Sequence, residues 1–262
     1  MTDSPSSSES NFLLQAREAS ARNVPAVIVT VVRGATVGAK LLLIGDDAQG
    51  TLGTKDLDDA GLTAARDAVA SGKSGLVALA ADTDAFVDVF LPPPLLVLIG
   101  AVHVAQAVVT FAAPLGFRIV VVDARQTLAT RERFPDVDDL IVAWPDEAYP
   151  RLPITRSSAI VILTHDPKFD EPAILGALQT DAGYIGAVGS RKTNVDRRAR
   201  LLEAGATGAQ IDRVHGPIGL DIGGNTPEEM AISILAEIIA SRNDRSGGPL
   251  KGATGSIRGD GD

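Results

Sequence analysis

The chain has 262 residues, a net charge of −9 at pH 7 and no cysteine. This length is sufficient for one large domain or for two modest domains with their own hydrophobic cores. The lack of cysteine excludes disulfides, thiolate metal sites, iron–sulfur clusters and cysteine nucleophiles. The acidic balance disfavours nucleic acids and anionic membranes as partners, because their phosphates repel a negatively charged protein.

The two ends of the chain differ in composition from the rest. Residues 1–10 are rich in serine and carry acids, unlike the basic and then apolar order of a signal peptide. Residues 1–10 and 242–262 lack periodic apolar positions, so we expect both to be disordered. The longest apolar stretch, residues 91–102, contains three prolines and is too short to span a bilayer. We therefore expect a soluble, cytoplasmic protein.

The first half of the chain is predicted to form a small α+β domain over residues 11–91. Its apolar spacing predicts helices at 11–22 and 57–70, strands at 26–32 and 40–44, and a hairpin of strands 75–80 and 85–91 with its turn at 82–84. The three prolines at 92–94 then predict a stiff linker, since consecutive prolines cannot enter a helix or a central strand.

The second half changes to alternating strands and helices over residues 95–241. The predicted strands are 95–99, 118–122, 159–163 and 184–188, and the predicted helices are 103–115, 171–179, 194–204 and 227–240. Thr226 is expected to cap the last helix in a capping box with Glu229. This alternation predicts an α/β protein with a carboxyl-terminal Rossmann-like, doubly wound domain beside the smaller amino-terminal α+β domain.

A glycine turn follows the first strand of the second half, at residues 100–105. A Rossmann fingerprint has Gly-x-Gly-x-x-Gly/Ala in this place and an acidic residue about 20 positions further on, which binds the ribose. Gly100, Ala105 and Asp123 fit that pattern, but Val102 stands where a second glycine lets the backbone approach the pyrophosphate. Two alternatives stay open: weak binding of NAD(P), with Asp123 favouring NAD, or a Rossmann-like fold without a dinucleotide.

A basic segment follows the strand at 184–188. Gly189 and Ser190 are predicted to form a turn, and Arg191 and Lys192 follow it at the start of a helix. Free N–H groups at a helix N-terminus, a hydroxyl and two cations favour an anion site, and the alternative is a solvated basic face. Further along the helix we expect a solvated face, made of Arg197, Arg198 and Arg200.

Polar residues also follow the third predicted strand and precede the last helix. His165 and Asp166 come where open α/β sheets bind ligands; the alternative is a structural histidine with Asp166 as a helix cap. His215 and Asp221 lie in a glycine-rich segment, and capping does not explain them. All three histidines, including His103, are predicted to lie in loops. Their spacing matches no compact metal motif, so no metal site is expected.

Together, these segments resemble one family, the XdhC/CoxI accessory proteins of xanthine dehydrogenase and related molybdenum hydroxylases. The similarity covers nearly all of residues 95–241, and the ordered set of motifs is more specific than any single motif. The motifs are Gly-Ala-x-His-Val-Ala (100–105), Val-Asp-x-Arg (122–125), Ala-Thr-x-x-Arg-Phe-Pro (129–135), Trp-Pro-Asp-Glu (144–147), Leu-Thr-His-Asp-Pro (163–167), Gly-Tyr-Ile-Gly-x-x-Gly-Ser-Arg (183–191), Pro-Ile-Gly-Leu-Asp-Ile-Gly (217–223) and Thr-Pro-Glu-Glu (226–229).

The resemblance implies a non-catalytic chaperone that binds molybdenum cofactor, as molybdopterin or its dinucleotide, and helps to insert it into an apo-enzyme of the xanthine dehydrogenase type. It also implies a homodimer and a cofactor sulfurase as a further partner. The alternative is an NAD(P)-dependent oxidoreductase or another nucleotide-binding protein on the same domain. The cofactor-binding residues so implied are Gly100, His103, Asp123, Arg125, His165, Asp166, Gly189, Ser190, Arg191, Lys192, His215 and Asp221.

Overall fold

The computed structural model describes residues 11–252 and divides the chain into two compact units, Met1–Pro93 and Pro94–Asp262. The disorder predicted for residues 1–10 and from residue 253 onward lies outside the described residues. The division between the units falls within the three consecutive prolines. Among the described residues, no helix is long and apolar enough to cross a membrane.

The first unit is an antiparallel sheet with one helix on each face. Its elements are α1 (Phe12–Ala21), β1 (Ala26–Arg33), β2 (Lys40–Ile44), β3 (Asp47–Thr51), α2 (Lys55–Ser71), β4 (Gly75–Ala80) and β5 (Thr83–Phe90), and the strand order is β3-β2-β1-β5-β4. Side chains of β1 alternate between the two faces, so that Val27 and Val29 pack with α2 while Ile28 packs with α1. This unit confirms the predicted α+β domain.

Three details of the first unit differ from the prediction. The helix α2 begins at Lys55, two residues earlier than predicted, and the other two differences concern strands. The strand β3 is not predicted from the sequence, because its residues are mostly polar or small and all five are exposed. The strand β5 begins at Thr83, two residues earlier than predicted. Only Ala81 and Asp82 form the turn, and Thr83 is buried.

The second unit is a parallel sheet covered by helices on both faces. Its strands are β6 (Leu95–Ile99), β7 (Arg118–Val122), β8 (Asp139–Ile141), β9 (Ala159–Ile162), β10 (Tyr184–Ala187) and β11 (Val214–His215). Its helices are α3 (His103–Ala112), α4 (Pro145–Ala148), α5 (Pro167–Leu178), α6 (Arg191–Glu203), α7 (Gly208–Ile211) and α8 (Pro227–Arg242). The predicted Rossmann-like α/β fold is confirmed.

The order of the six strands is β11-β10-β9-β6-β7-β8, which is the order found in doubly wound dinucleotide-binding sheets. The chain adds β7 and β8 on one side of β6 and then returns to add β9 on the other side. Leu96 and Leu98 pack with α3 and α8 on one face, while Val97 and Ile99 pack with α5 on the other. In such sheets ligands bind outside the carboxyl ends of the strands, at the point where the order reverses.

Two short edge strands and two histidines differ from the prediction. The strands β8 and β11 are not predicted, because three and two residues are too few to show a hydrophobic period. His215 lies in β11 and His103 begins α3, so the prediction that all three histidines lie in loops is wrong for these two. His165 does lie in a loop.

Four helices of the second unit have different ends from those predicted. The helix α3 ends at Ala112, three residues earlier than predicted. The helices α5 and α6 begin earlier, at Pro167 and Arg191, and α8 continues to Arg242, the first residue of the predicted disordered tail. The capping box of α8 is confirmed. The Thr226 hydroxyl accepts a hydrogen bond from the Glu229 N–H, and the Glu229 side chain accepts one from the Thr226 N–H.

Candidate functional site

A cleft of about 510 Å³ opens at the carboxyl ends of β6 and β9, where the strand order reverses. Its volume lies within the range of small-molecule sites, roughly 300–1,000 Å³. The residues that line it come from the loops after β6, β7 and β9 and from the start of α5. They are Val102, Arg125, Leu163, Thr164, His165, Asp166, Pro167 and Phe169.

One wall of the cleft contains an aromatic ring, that of Phe169 in the first turn of α5. The indole of Trp144 stacks on it, with the ring centroids 4.5 Å apart and the planes inclined by 12°. The guanidinium carbon of Arg125 lies 5.5 Å from the centroid of the Phe169 ring, within the range of a cation–π contact. The cleft thus offers an aromatic surface beside a cation, an arrangement that suits a flat, negatively charged heterocycle.

Asp123, which follows β7, holds Arg125 in place. Its carboxylate accepts hydrogen bonds from Nε and Nη2 of Arg125, at 2.9 and 2.7 Å, and from the backbone N–H groups of Arg125 and Ala101, at 2.9 and 2.7 Å. Burial alone would raise the pKa of Asp123, but these hydrogen bonds outweigh it and lower the pKa. The carboxylate is therefore occupied by donors of the protein itself and is not directed at a ribose.

The loop after β6 shows why Gly100 is a glycine. Its φ is +109°, and a Cβ at this position would lie 2.7 Å from Cγ2 of Thr164. Both the backbone conformation and the close approach of the loop after β9 require glycine. Val102 lines the cleft from the same loop, whereas His103 is exposed at the first position of α3.

His165 and Asp166 line the cleft from the loop after β9, and both are exposed. Asp166 caps α5, because its carboxylate accepts a hydrogen bond from the Lys168 N–H at 3.0 Å. The capping alternative for Asp166 is thus confirmed. His165 places its imidazole where it can contact a ligand.

The predicted anion site lies at the N-terminus of α6, after β10. Ser190 caps the helix, with Oγ accepting a hydrogen bond from the Thr193 N–H at 3.0 Å. Arg191 and Lys192 are exposed, and Gly189 has a φ of +144°. Since Oγ of Ser190 is engaged in the cap, an anion here would meet the N–H groups of the first turn and the two cations.

The expectation of a solvated basic face on α6 is wrong for Arg197. Arg197 is 2% exposed, and its Nη2 lies 3.1 Å from Oδ2 of Asp170, which is 3% exposed. The partner lies 27 residues earlier in the chain, on α5, so no local pattern reveals it. Arg200 is half-buried in a second ion pair with α5, whereas Arg198 is exposed and pairs with the exposed Asp212.

Neither His215 nor Asp221 is among the described residues that line the cleft. The imidazole of His215 stacks on Tyr184, with centroids 4.5 Å apart, and its Nδ1 lies 3.2 Å from Oε1 of Glu237 in α8. Glu237 also accepts hydrogen bonds from the Tyr184 hydroxyl and from the Gly219 N–H. Burial raises the pKa of Tyr184, and the contact with Glu237 adds to the rise. His215 thus contributes to the packing of α8 on the sheet, and Asp221 is exposed in the preceding loop.

Four residues that shape this site are not predicted from the sequence. They are Trp144, Phe169, Asp170 and Arg197. One sequence signal could have identified Trp144 and Phe169. Each is an aromatic residue at or just before the first turn of a helix that begins at the carboxyl edge of the sheet. The buried ion pair has no such signal, because its partners meet only through tertiary packing. Among the described residues, no group of metal-ligating side chains is placed to hold an ion.

Comparison with known protein families identifies the second unit. The sequence model of the XdhC Rossmann domain matches residues 96–238, which is more than half of the chain. The chain belongs to the XdhC family. The match runs from β6 into α8 and therefore includes every residue that lines the cleft.

Three curated relatives of this XdhC protein come from two bacteria. It is 34% identical over 183 residues to the uncharacterized protein YqeB of Escherichia coli (70% of this chain, 32% of the relative), and 33% identical over 160 residues to a probable subunit of the xanthine dehydrogenase of Bacillus subtilis (61% and 46%). It is 28% identical over 89 residues to the molybdenum cofactor insertion chaperone PaoD of E. coli (34% and 28%). The chain spans less than half the length of each of these relatives.

A solved structure shares the fold of this XdhC protein. The crystal structure of a xanthine dehydrogenase from Bacillus halodurans superposes with a TM-score of 0.67 at 24% sequence identity. The superposition covers 88% of this chain and 66% of that one. At this identity the likeness concerns the fold alone.

The Asp123 contacts lead to a stability prediction. Asp123→Asn is expected to lower the free energy of unfolding by about 2–3 kcal/mol, because hydrogen bonds to a charged acceptor are worth about 1.5–3 kcal/mol each. In addition, the NH2 group of the asparagine would face the N–H donors of Arg125 and Ala101 and could not accept from them. Asp166→Asn is the matched control and should change it by less than about 0.5 kcal/mol, because asparagine caps helices as well as aspartate does. Urea denaturation followed by circular dichroism measures both variants.

The same pair of variants has a distinct pH dependence. Because folding lowers the pKa of Asp123, its contribution is complete above the ordinary aspartate pKa of 3.8 and is lost as the pH falls through the lower folded-state value. The stability difference between wild type and Asp123→Asn should therefore shrink in acid. Equal losses in the two variants, or a difference that does not change with pH, would contradict this role of Asp123.

Proposed function

We propose that this XdhC protein is a molybdenum cofactor chaperone that binds the cofactor in the cleft and passes it to an apo-enzyme of the xanthine dehydrogenase type. The observation that carries the proposal is the cleft at the reversal point of the sheet, in a domain of the XdhC family. Two relatives support it, since one is named as a probable part of a xanthine dehydrogenase and another as a molybdenum cofactor insertion chaperone. The cofactor is cargo, and holding it requires no catalytic residue.

The groups around the cleft fit the ring of a pterin. Phe169, with Trp144 stacked on it, gives an aromatic surface, and Arg125 supplies a cation beside it. The exposed imidazole of His165 supplies a group that can hydrogen-bond to the edge of a heterocycle. Because Asp123 already orders the Arg125 side chain, ligand binding loses little side-chain entropy there.

The phosphate of such a cofactor would bind at the start of α6. This helix has 13 residues and follows β10, the neighbour of β9, so its N-terminus lies at the same edge of the sheet as the cleft. The helix dipole and the exposed cations Arg191 and Lys192 favour negative charge there. We assign the ring to the cleft and the phosphate, whether of molybdopterin or of its dinucleotide, to this turn.

The proposal extends to partners and place of action. A cofactor sulfurase and a second copy of this chain are the further partners that the resemblance implies, and the cytoplasm is where we expect the transfer to occur.

The alternative, an NAD(P)-dependent oxidoreductase, has two observations against it. The carboxylate of Asp123 is occupied by Arg125 and Ala101, and Val102 stands where dinucleotide-binding domains use glycine.

Fluorescence of Trp144 tests cofactor binding directly. Trp144 is the only tryptophan of the chain and stacks on a residue that lines the cleft. Isolated molybdopterin is expected to quench it along a saturable curve, at concentrations at least about tenfold below those at which NAD acts, because the site lacks the ribose contact of a dinucleotide fold. Saturable quenching by NAD at lower concentrations than molybdopterin would favour the oxidoreductase, and no quenching by molybdopterin would contradict the proposal.

The anion-binding turn leads to a second prediction. Arg191→Ala should weaken molybdopterin binding about 10- to 150-fold, because a charge-assisted hydrogen bond to phosphate is worth about 1.5–3 kcal/mol. Arg198→Ala is the control, since Arg198 is exposed beyond the first turn and pairs with Asp212. Its effect should stay within about twofold, because solvent screens such a charge. Titration calorimetry at fixed salt measures both, and equal small losses would show that the phosphate does not bind at this turn.

A further inference from the structure

A buried network of polar side chains joins the loops at the carboxyl edge of the second unit. Its centre is the ion pair between Asp170 of α5 and Arg197 of α6, which are 3% and 2% exposed. Charged side chains are rarely buried in this way, and an apolar pair of similar volume is often as stable or more stable. Stability alone therefore does not account for a buried ion pair at this position.

Asp170 connects α5 to the loop after β9. One of its carboxylate oxygens accepts a hydrogen bond from the hydroxyl of Thr164, which lines the cleft, and the other lies 3.1 Å from Nη2 of Arg197. The methyl group of Thr164 packs against Gly100 in the loop after β6. Asp170 directly follows Phe169 in the chain. The same contacts thus fix the first turn of α5 and the aromatic wall of the cleft.

Arg197 connects α6 to the turn after β10. Its Nη2 donates to the carbonyl of Val188 at 2.8 Å, and its Nη1 donates to Oδ1 of Asn194 at 2.6 Å. Asn194 donates in turn to the carbonyl of Ser190 at 3.0 Å. A Cβ on Gly216, just after β11, would collide with Oδ1 of Asn194, so this loop also packs against the network. The loops after β9 and β10 therefore contact the ion pair directly. The loops after β6 and β11 pack against Thr164 and Asn194, which hydrogen-bond to it.

We propose that Asp170 and Arg197 are positioning residues for cofactor binding. They hold the cleft wall at Thr164 and Phe169 at a set distance from the anion-binding turn at Ser190. This inference rests on the proposed function, because it assigns the ring and the phosphate of one ligand to these two places. A ligand that binds at both gains full affinity only if the loops are ordered beforehand, since ordering them on binding costs free energy.

The test compares Arg197→Lys with Arg198→Lys, the same substitution at the next position. Lysine keeps the positive charge but lacks the planar guanidinium, which contacts Asp170, Val188 and Asn194 at once. Arg197→Lys should therefore remove some of these hydrogen bonds without removing the cation. Arg198 is exposed and outside the network. Leu201→Ala is a second control, because it opens a cavity in the same helix away from the turn. Asp170→Asn replaces Arg197→Lys if the latter does not fold.

Two readouts separate this inference from the proposed function. Acrylamide quenching of Trp144 in the unliganded protein reports on the aromatic wall, and calorimetric titration with molybdopterin reports on affinity. Arg197→Lys is expected to make Trp144 more accessible to acrylamide and to weaken molybdopterin binding at least about tenfold. Arg198→Lys and Leu201→Ala should leave affinity within about twofold and Trp144 accessibility unchanged.

The outcomes have separate meanings. A folded Arg197→Lys protein with the Trp144 accessibility and the affinity of wild type would overturn the inference. It fails as well if Leu201→Ala reproduces both changes, because they would then report lost stability. If wild type does not bind molybdopterin, but Arg197→Lys alone of the three variants makes Trp144 more accessible to acrylamide, the pair does position the cleft wall and the proposed function fails.

Discussion

A buried ion pair between Asp170 and Arg197 lies at the edge of the parallel sheet that carries the cleft. Moving two charges out of water is costly, and only several good partners for each ion offset that cost. Here the partners are a hydroxyl of the cleft, a backbone carbonyl and an asparagine side chain, and each belongs to a different segment of that edge. The ion pair thereby links loops, which are in general the more mobile segments of a domain.

The second unit has the strand order of a dinucleotide-binding domain, but its residues at two positions of the dinucleotide fingerprint, Gly100 and Asp123, make contacts within the protein. Gly100 lets the loop after β6 approach Thr164, and Asp123 orders Arg125 beside the aromatic wall. The strand order and the place of the cleft are those of the general fold. The side chains that face the cleft, Arg125 and Phe169 among them, give it a different chemistry, so the fold alone does not identify the ligand.

The sequence predicts those parts of the structure whose physical causes are local. Buried strands such as β2, β6 and β7 have the predicted bounds, because an apolar run between turn residues is sufficient to define them. The strands β3, β8 and β11 escape prediction because they are short or polar and form only by pairing with a neighbour. The prediction of a solvated Arg197 is wrong for a similar reason. The sequence does not distinguish Arg197 from Arg198 and Arg200, because its partner Asp170 lies on another helix and is brought beside it only by tertiary packing.

We propose that this edge of the sheet binds a phosphorylated pterin that carries molybdenum. Native mass spectrometry of the protein, purified from cells that make molybdenum cofactor and from matched cells blocked in its synthesis, tests that claim without any assumption about which residues bind. We predict a mass adduct of the cofactor only in the first preparation, released when the protein is unfolded. A nucleotide adduct in both preparations, or no adduct in either, would contradict the binding of molybdenum cofactor by this protein.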